Sequence, residues 1–192
     1  MDEGFRHFAQ KSEVHSTLRR ICLRLNDLGI PYAVVGGMAL FEHGFRRFTE
    51  DVDLLVTRDD LLRIHQALSG LGYIEPFEKS KHLKDTVNGV RIEFIVTGDY
   101  PGDGKPKPVA FPHPGDVAVD RDGIRLISLP RLVELKLASG MTGAGRLKDL
   151  ADVQELIKSI SLTDTFASQL HPYVQAKYLE LWRDVQAGLN DA

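Results

Sequence analysis

From about Ser12 to Leu28, apolar residues recur at three- and four-residue steps, with Leu18, Ile21, Leu25 and Leu28 on one stripe. That spacing predicts an amphipathic helix. Gly29 and then Pro31 stop it. The short apolar run Tyr32 to Val35 reads as a buried strand ending at Gly36-Gly37, and Met38 to His43 as a short helix closed by Gly44. Asp51 to Val56 alternates as a second strand, and the leucine spacing of Arg58 to Leu71 predicts a second long helix. Strands follow at Tyr73–Glu75 and His82–Val87, and Asn88-Gly89 turns the chain into another strand, Val90–Val96. Gly98 to Gly115 is rich in Gly and Pro and reads as an exposed loop. One short strand is expected at Gly123–Ile127. Beyond it the pattern is helical, near Pro130–Ser139, Arg146–Ile160, Thr163–Gln169 and Pro172–Ala187.

Strands and helices thus alternate first, and helices dominate afterwards. The expected architecture is an α/β (α+β) core over residues 1–129, a mixed sheet flanked by helices, with a helical C-terminal lobe over residues 130–192. The chain has 192 residues, 43% hydrophobic and 27% charged, the make-up of an ordinary globular protein. Its one cysteine, Cys22, excludes an intrachain disulfide and a multi-cysteine zinc site. With 24 Lys+Arg against 27 Asp+Glu the net charge is −3, which argues against a nonspecific nucleic-acid coat but leaves room for a local basic patch. No apolar run approaches the roughly 20 residues that span a bilayer. The start, MDEGFRHFAQ, lacks the apolar region of a signal peptide, so a cytoplasmic location without membrane association is expected.

Candidate chemistry concentrates between Pro31 and Val56, PYAVVGGMALFEHGFRRFTEDVDLLV. A strand runs into Gly36-Gly37 and a helix begins at once, so backbone N–H groups and the positive end of the helix dipole could cradle a phosphate. Taken alone, a Gly-Gly pair is as readily a simple turn. Thirteen residues separate Gly37 from Asp51, which with Asp53 lies on one face of a strand whose other face is Val52, Leu54 and Val56. Two carboxylates brought to ~4 Å repel by about 4 kcal/mol at an effective dielectric near 20. They are tolerable with a cation between them or with one protonated, and oxygen-only ligands suit Mg²⁺ or Mn²⁺. The plainer alternative is a strand start with one Asp capping a neighbour.

The succession of strand, Gly-Gly turn, short helix and Asp-x-Asp strand resembles the nucleotidyltransferase superfamily, the DNA-polymerase-β-like fold. The approach GFRRFTEDVDLLV, with Arg47 and Thr49 ahead of the acidic strand, is similar to AbiEii-type toxins and uncharacterised nucleotidyltransferase families. The resemblance implies an enzyme that moves an NMP from an NTP, ATP included, to an acceptor hydroxyl and releases pyrophosphate. It implies metal ligands at Asp51 and Asp53, and a third carboxylate on a later strand. Glu93, on the less apolar face of VRIEFIV, is the candidate, with a salt bridge to Lys84 as the structural alternative. It further implies that Gly36, Gly37, Arg47 and Thr49 serve the nucleotide. Lys136, inside the apolar stripe of one helix, matches a lysine of the AbiEii type, and Lys148-Asp149 with Asp152 matches a Lys-Asp-x-x-Asp pattern in the next helix. Lys136 and Asp149 would then contact or orient the nucleotide. A snorkelling lysine, and an inward Asp149 paired with Lys136 or Arg146, are the structural alternatives.

The acceptor stays open. The AbiEii likeness implies RNA, tRNA ends included, and a toxin with a cognate antitoxin. Aminoglycoside and lincosamide nucleotidyltransferases share the Gly-Gly…Asp-x-Asp core and imply a small-molecule acceptor. A non-catalytic nucleotide-binding or antitoxin protein on the same fold is a third possibility. Gly98…Gly104-Lys105 fails as a P-loop, because its spacing is off by one and Pro106 stands where Ser or Thr would hold magnesium. Lys105 and Lys107 read as solvated charges, Cys22 as core, and Tyr178 with Trp182 as packing on one helical face.

Overall fold

The computed structural model describes residues 3–78 and 80–190; the acidic start at Met1 and Asp2 lies outside them. The chain forms two compact units. One comprises the chain up to Ala39, Arg47–Thr97 and Pro112–Ile127, and the other Leu40–Arg46, Gly98–Phe111 and the chain from Ser128 onward.

The first unit is built on a seven-stranded mixed sheet. Its strands are β1 (Ala33–Val34), β2 (Asp51–Val56), β3 (Tyr73–Ile74), β4 (His82–Asp85), β5 (Arg91–Val96), β6 (Ala118–Arg121) and β7 (Ile124–Ile127), in the order β3-β4-β5-β2-β1-β7-β6. β2 runs parallel to β5 and β1 parallel to β7; the remaining neighbours are antiparallel. Helices α1 (Glu3–Asp27) and α3 (Arg58–Leu68) cover one face. α1 buries Val14, Leu18, Ile21, Cys22 and Leu25, and α3 buries Leu61, Ile64 and Leu68, against Val52, Leu54, Val56, Ile92, Phe94 and Val96. Strand alternation therefore sends Asp51, Asp53, Arg91 and Glu93 to the other face.

The β6–β7 hairpin, preceded by the short helix α4 (Pro114–Val117), turns at Asp122-Gly123, both with positive φ (54° and 79°), the type I′ geometry that an Asp-Gly pair favours. Only β7 was expected from the sequence. α1 begins earlier than expected and α3 ends earlier, where Ser69 caps it before Gly70 turns with φ +80°. Cys22 is buried, and burial pushes its thiol up to about 12 even though a hydrogen bond with Tyr32 acts the other way.

A polar clamp fixes α1 to the β4–β5 hairpin. Asp85, 1% exposed, accepts hydrogen bonds from Thr17 Oγ1 (2.9 Å), Arg20 Nε (3.0 Å) and the Val87 N–H (2.9 Å). Arg20 Nη2 adds an ion pair at 2.5 Å.

The second unit packs α5 (Leu129–Thr142), α6 (Leu147–Ser159) and α7 (Pro172–Asn190) against one another, with a 3₁₀ turn over Asp164–Gln169. At Gly140 α6 comes so close that a Cβ would lie 2.5 Å from Leu150 Cγ. Tyr178 and Trp182 pack as expected, donating to the Thr163 and Leu162 carbonyls at 2.8 and 3.0 Å. The Gly/Pro segment departs from the expected exposed loop. Gly98 and Phe111 close its base through Gly98 N–H to Phe111 O and Phe111 N–H to Asp99 O, both 2.9 Å. Pro101 and Val109 are buried, and Lys107 turns inward to the Pro101 carbonyl and Asp103 Oδ1, both at 2.5 Å. Gly102 lies against Ser139 O and Thr142, where a side chain would not fit. A lysine that satisfies a buried carbonyl lets a chain with few apolar residues pack.

Burial pushes the Asp85 carboxyl up, but the Arg20, Val87 and Thr17 hydrogen bonds outweigh it and leave the pKa below the ordinary carboxylate value. A carboxylate with a depressed folded pKa stabilises the fold above its unfolded pKa and loses that contribution as pH falls. Asp85→Asn is therefore expected to lose about 1–3 kcal/mol at pH 7 in urea unfolding. The gap to wild type should shrink as pH falls below about 4. A pH-independent difference would exclude the ionised clamp.

Candidate active site on the open face of the sheet

β1 ends in a turn made by Gly36, which also opens α2 (Gly36–Glu42). Gly36 has φ +60°, a conformation that L side chains rarely adopt. A Cβ at Gly36 would fall 1.8 Å from Asp53 Oδ2, so the Asp53 carboxylate lies directly on the glycine backbone. The Val35 N–H donates to the Asp53 carbonyl (3.0 Å), which fixes the strand against the turn. Gly37 is held from the other side: a Cβ there would meet Thr49 Oγ1 at 2.7 Å. Thr49 in turn donates to the Asp51 carbonyl at 3.2 Å. The double glycine is thus a close approach between the turn, Thr49 and the acidic strand, as well as a bend. Arg47 lies half-buried in the same α2–β2 connection.

The register between β2 and β5 places the third carboxylate. Asp51 pairs with Arg91 and Asp53 with Glu93 across parallel strands. Paired residues on adjacent strands share a face about 4.8 Å apart. Asp51, Asp53 and Glu93 are all half-buried. The Lys84–Glu93 bridge weighed as the structural alternative does not form; Arg91 Nη2 takes Glu93 Oε2 at 3.3 Å instead. Among the described residues no three His, Cys, Asp or Glu side chains close around one point. By donor type and placement the set nonetheless suits Mg²⁺ or Mn²⁺: carboxylate oxygens only, two on one strand and a third in register beside them. The third arm is drawn toward Arg91.

Two neighbours on this face, His82 and Arg91, were not singled out in the sequence. His82 pairs with Glu93 and Lys84 with Arg91 across the β4–β5 hairpin, so all four side chains share a face. Arg91 Nη2 contacts His82 Nε2. Burial, and then the Arg91 charge, lower the His82 pKa and favour the neutral ring. Its Nδ1 is buried with no hydrogen-bond partner among the described residues. Counting back from a two-residue Asn88-Gly89 turn would have set Lys84 against Glu93; the hairpin instead closes at Asp85 and Val90 over a four-residue loop, 86–89, which brings His82 to Glu93.

Lys136 and Asp149 come together in the helical unit. Lys136 Nζ lies 2.9 Å from Asp149 Oδ1 and 2.6 Å from Asp152 Oδ2, with all three residues under 9% exposed. Ser139 Oγ donates to Asp149 Oδ2 at 2.7 Å, and Arg146 Nε is 2.9 Å from the same oxygen. Burial pushes Asp149 up, but Lys136, Ser139 and Arg146 outweigh it and leave the pKa lowered. Two cations and two carboxylates balance here, so the Lys136 charge is matched inside its own unit.

A mixed seven-stranded sheet flanked by helices, with a glycine turn pressed on an acidic strand, is the nucleotidyltransferase architecture. In fold the chain is similar to a candidate nucleotidyltransferase from Helicobacter pylori, at 18% identity over 97% of this chain and 95% of that one, TM-score 0.51. It is also similar to ANT(2″)-Ia in complex with adenylyl-2″-tobramycin, at 11% identity over 85% and 97%, TM-score 0.53. A third similar structure is an antigenic nucleotidyltransferase-like protein from Paracoccidioides brasiliensis, at 19% identity over 77% and 76%, TM-score 0.51. No curated protein matches the sequence significantly. Residues 5–181 match the family described as uncharacterised nucleotidyltransferase, and the chain belongs to that family.

Gly36→Ala should cost about 2 kcal/mol in urea unfolding, from the strained φ and the collision with Asp53. In an Asp53→Ala background the two closest colliding atoms are gone, and the loss should fall to about 1 kcal/mol. Equal losses in both backgrounds would exclude the contact. In the helical unit, Lys136→Met should cost about 3–5 kcal/mol by stranding two buried carboxylates, and Lys136→Met/Asp149→Asn/Asp152→Asn should recover most of it.

Proposed function

We infer that this protein is a metal-dependent nucleotidyltransferase that moves an NMP from an NTP to an acceptor hydroxyl. The observation that carries the reading is the in-register alignment of Asp51, Asp53 and Glu93 beside a turn where Asp53 rests on Gly36. Such a face gathers negative oxygens at a point where folding alone gains nothing from them.

In this reading Asp51 and Asp53 hold divalent ions, with Glu93 as the third ligand. When bound, Mg²⁺ or Mn²⁺ offsets the charge on the reacting phosphate oxygens and on the leaving group. Gly36, Gly37 and the first turn of α2 present backbone N–H groups to the β- and γ-phosphates. The acceptor oxygen bonds to the α-phosphorus, the bond from that phosphorus to the bridging oxygen breaks, and pyrophosphate leaves. Glu93 takes the hydroxyl proton as general base. Arg47 and Thr49 serve the nucleotide through the loop that backs Gly37. Lys136 and Asp149 act as one balanced unit, so the lysine's charge is already matched within the helical unit.

The donor is an NTP, ATP included. With an RNA acceptor, tRNA ends among them, the reading extends to an AbiEii-like toxin restrained by an antitoxin. With an aminoglycoside or lincosamide acceptor it is a small-molecule transferase. The ion pair between Arg91 and Glu93 favours a second reading, in which the fold binds nucleotide without transfer.

Incubation with each labelled NTP, Mg²⁺ or Mn²⁺ and a total-RNA extract should label an acceptor. Asp51→Asn and Asp53→Asn should abolish labelling, and Glu93→Gln should slow it about a hundredfold or more. Labelling that persists in the two Asn variants would overturn the assignment. Calorimetric NTP binding that needs the metal, with no labelled product, would establish the second reading.

A further inference from the structure

A cavity of about 400 Å³ opens at the β4–β5 side of the sheet, lined by Pro76, Phe77, His82, Lys84, Gly89 and Arg91. Its position follows from the strand order. The Gly36 turn leaves β1, on one side of Asp53, whereas β5 and then β4 lie on the other. Lys84 and Arg91 are cross-strand partners, and His82 faces Glu93, so the cavity adjoins the third carboxylate on the carboxylate face. An in-line displacement needs the incoming and leaving oxygens on opposite sides of the phosphorus. With the β- and γ-phosphates at the Gly36 turn, the acceptor enters from the β5–β4 side. That step rests on the function proposed above.

The lining selects the acceptor by charge. Lys84 and Arg91 are exposed cations, His82 adds an imidazole, and among the described residues no carboxylate lines the cavity. Of the acids beside the lining, Glu93 is paired with Arg91 (3.3 Å), Asp51 stands across from Arg91 on β2, and Glu75 takes the Ser80 N–H (3.1 Å) and lies 3.3 Å from His65 Nδ1. A polycationic acceptor would meet like charge here. Phe77, 66% exposed, presents an aromatic ring beside Pro76, an arrangement with no evident value to the fold and a natural platform for a planar group. The volume is at the lower end of small-ligand pockets and suits one nucleotide.

We propose that this cavity is the acceptor site and takes the 3′-terminal nucleotide of a single-stranded RNA. The base lies on Phe77, the phosphate is held by Lys84 and Arg91, and the terminal hydroxyl is directed at Glu93. Phe77 and Lys84 set acceptor specificity and take no part in holding the donor.

The test is fluorescence anisotropy of a 5′-labelled single-stranded oligoribonucleotide with the full chain, alongside calorimetry of NTP with Mg²⁺. Phe77→Ala and Lys84→Glu are each expected to weaken oligonucleotide binding about tenfold or more and to leave NTP binding unchanged. Rising salt should weaken wild-type binding, and less so in Lys84→Glu. Tobramycin should neither bind the cavity nor displace the oligonucleotide. Oligonucleotide binding that both substitutions leave untouched would overturn the proposal, as would tobramycin binding that Phe77→Ala abolishes. Binding that depends on Phe77 and Lys84 in a protein with no transfer activity would sink the transferase reading and leave the cavity assignment standing. Transfer that is indifferent to both residues would do the reverse.

Discussion

The sheet unit is organised around a carboxylate lying on a backbone that has no side chain. Asp53 can occupy its place only because Gly36 contributes no Cβ and accepts φ +60°. Two further constraints follow. β2 must keep its register, since a slip of one residue would turn Asp51 and Asp53 into the core and Val52 and Leu54 out of it. The turn must also stay down on the strand, a task shared by Thr49 behind Gly37 and by the hydrogen bond from Val35 to Asp53. The other face supplies the anchor, because α1 and α3 bury the alternate residues of β2 and β5 so completely that the register has little freedom.

The two groups of charged residues are resolved differently. Asp149 and Asp152 are deeply buried, and Lys136 and Arg146 match them one for one. Such a network gains little net stability over an apolar core, yet losing one member is costly. Asp51, Asp53 and Glu93 are only half-buried, and Arg91 engages one of them. Half-burial keeps the cost of gathering them small while leaving their oxygens within reach of solutes. The first arrangement is built to stay closed, and the second to receive something.

How far this was legible in the sequence depended on whether the deciding contact was local. β2 was read to the residue, because alternation within DVDLLV carries its own signal. Asn88-Gly89 marked the β4–β5 hairpin, but the strand stops at Asp85 and the loop takes four residues, 86–89, where two were expected. β6 was missed although Asp122-Gly123 marks its hairpin, because the strand itself is mostly exposed and lacks apolar alternation. Of the candidate site, Gly36, Gly37, Thr49, Asp51 and Asp53 lie within one continuous stretch, and their spacing pointed to one another. Glu93 depended on a parallel pairing across some forty residues, and its Arg91 partner on a register that no local pattern encodes. Lys107 was read as a solvated charge because its partners, the Pro101 carbonyl and Asp103, meet it only once the loop has closed.

Cys22, the only cysteine, sits on the buried face of α1 among Leu18, Ile21 and Leu25 with a thiol pushed far from its reactive form. In the folded chain it is shielded both sterically and chemically from alkylating reagents. Any modification at that sulfur must pass through a state in which the first helix has left the sheet. A thiol reagent therefore counts openings of the sheet unit alone, and it remains silent to fraying of the helices that follow Ser128.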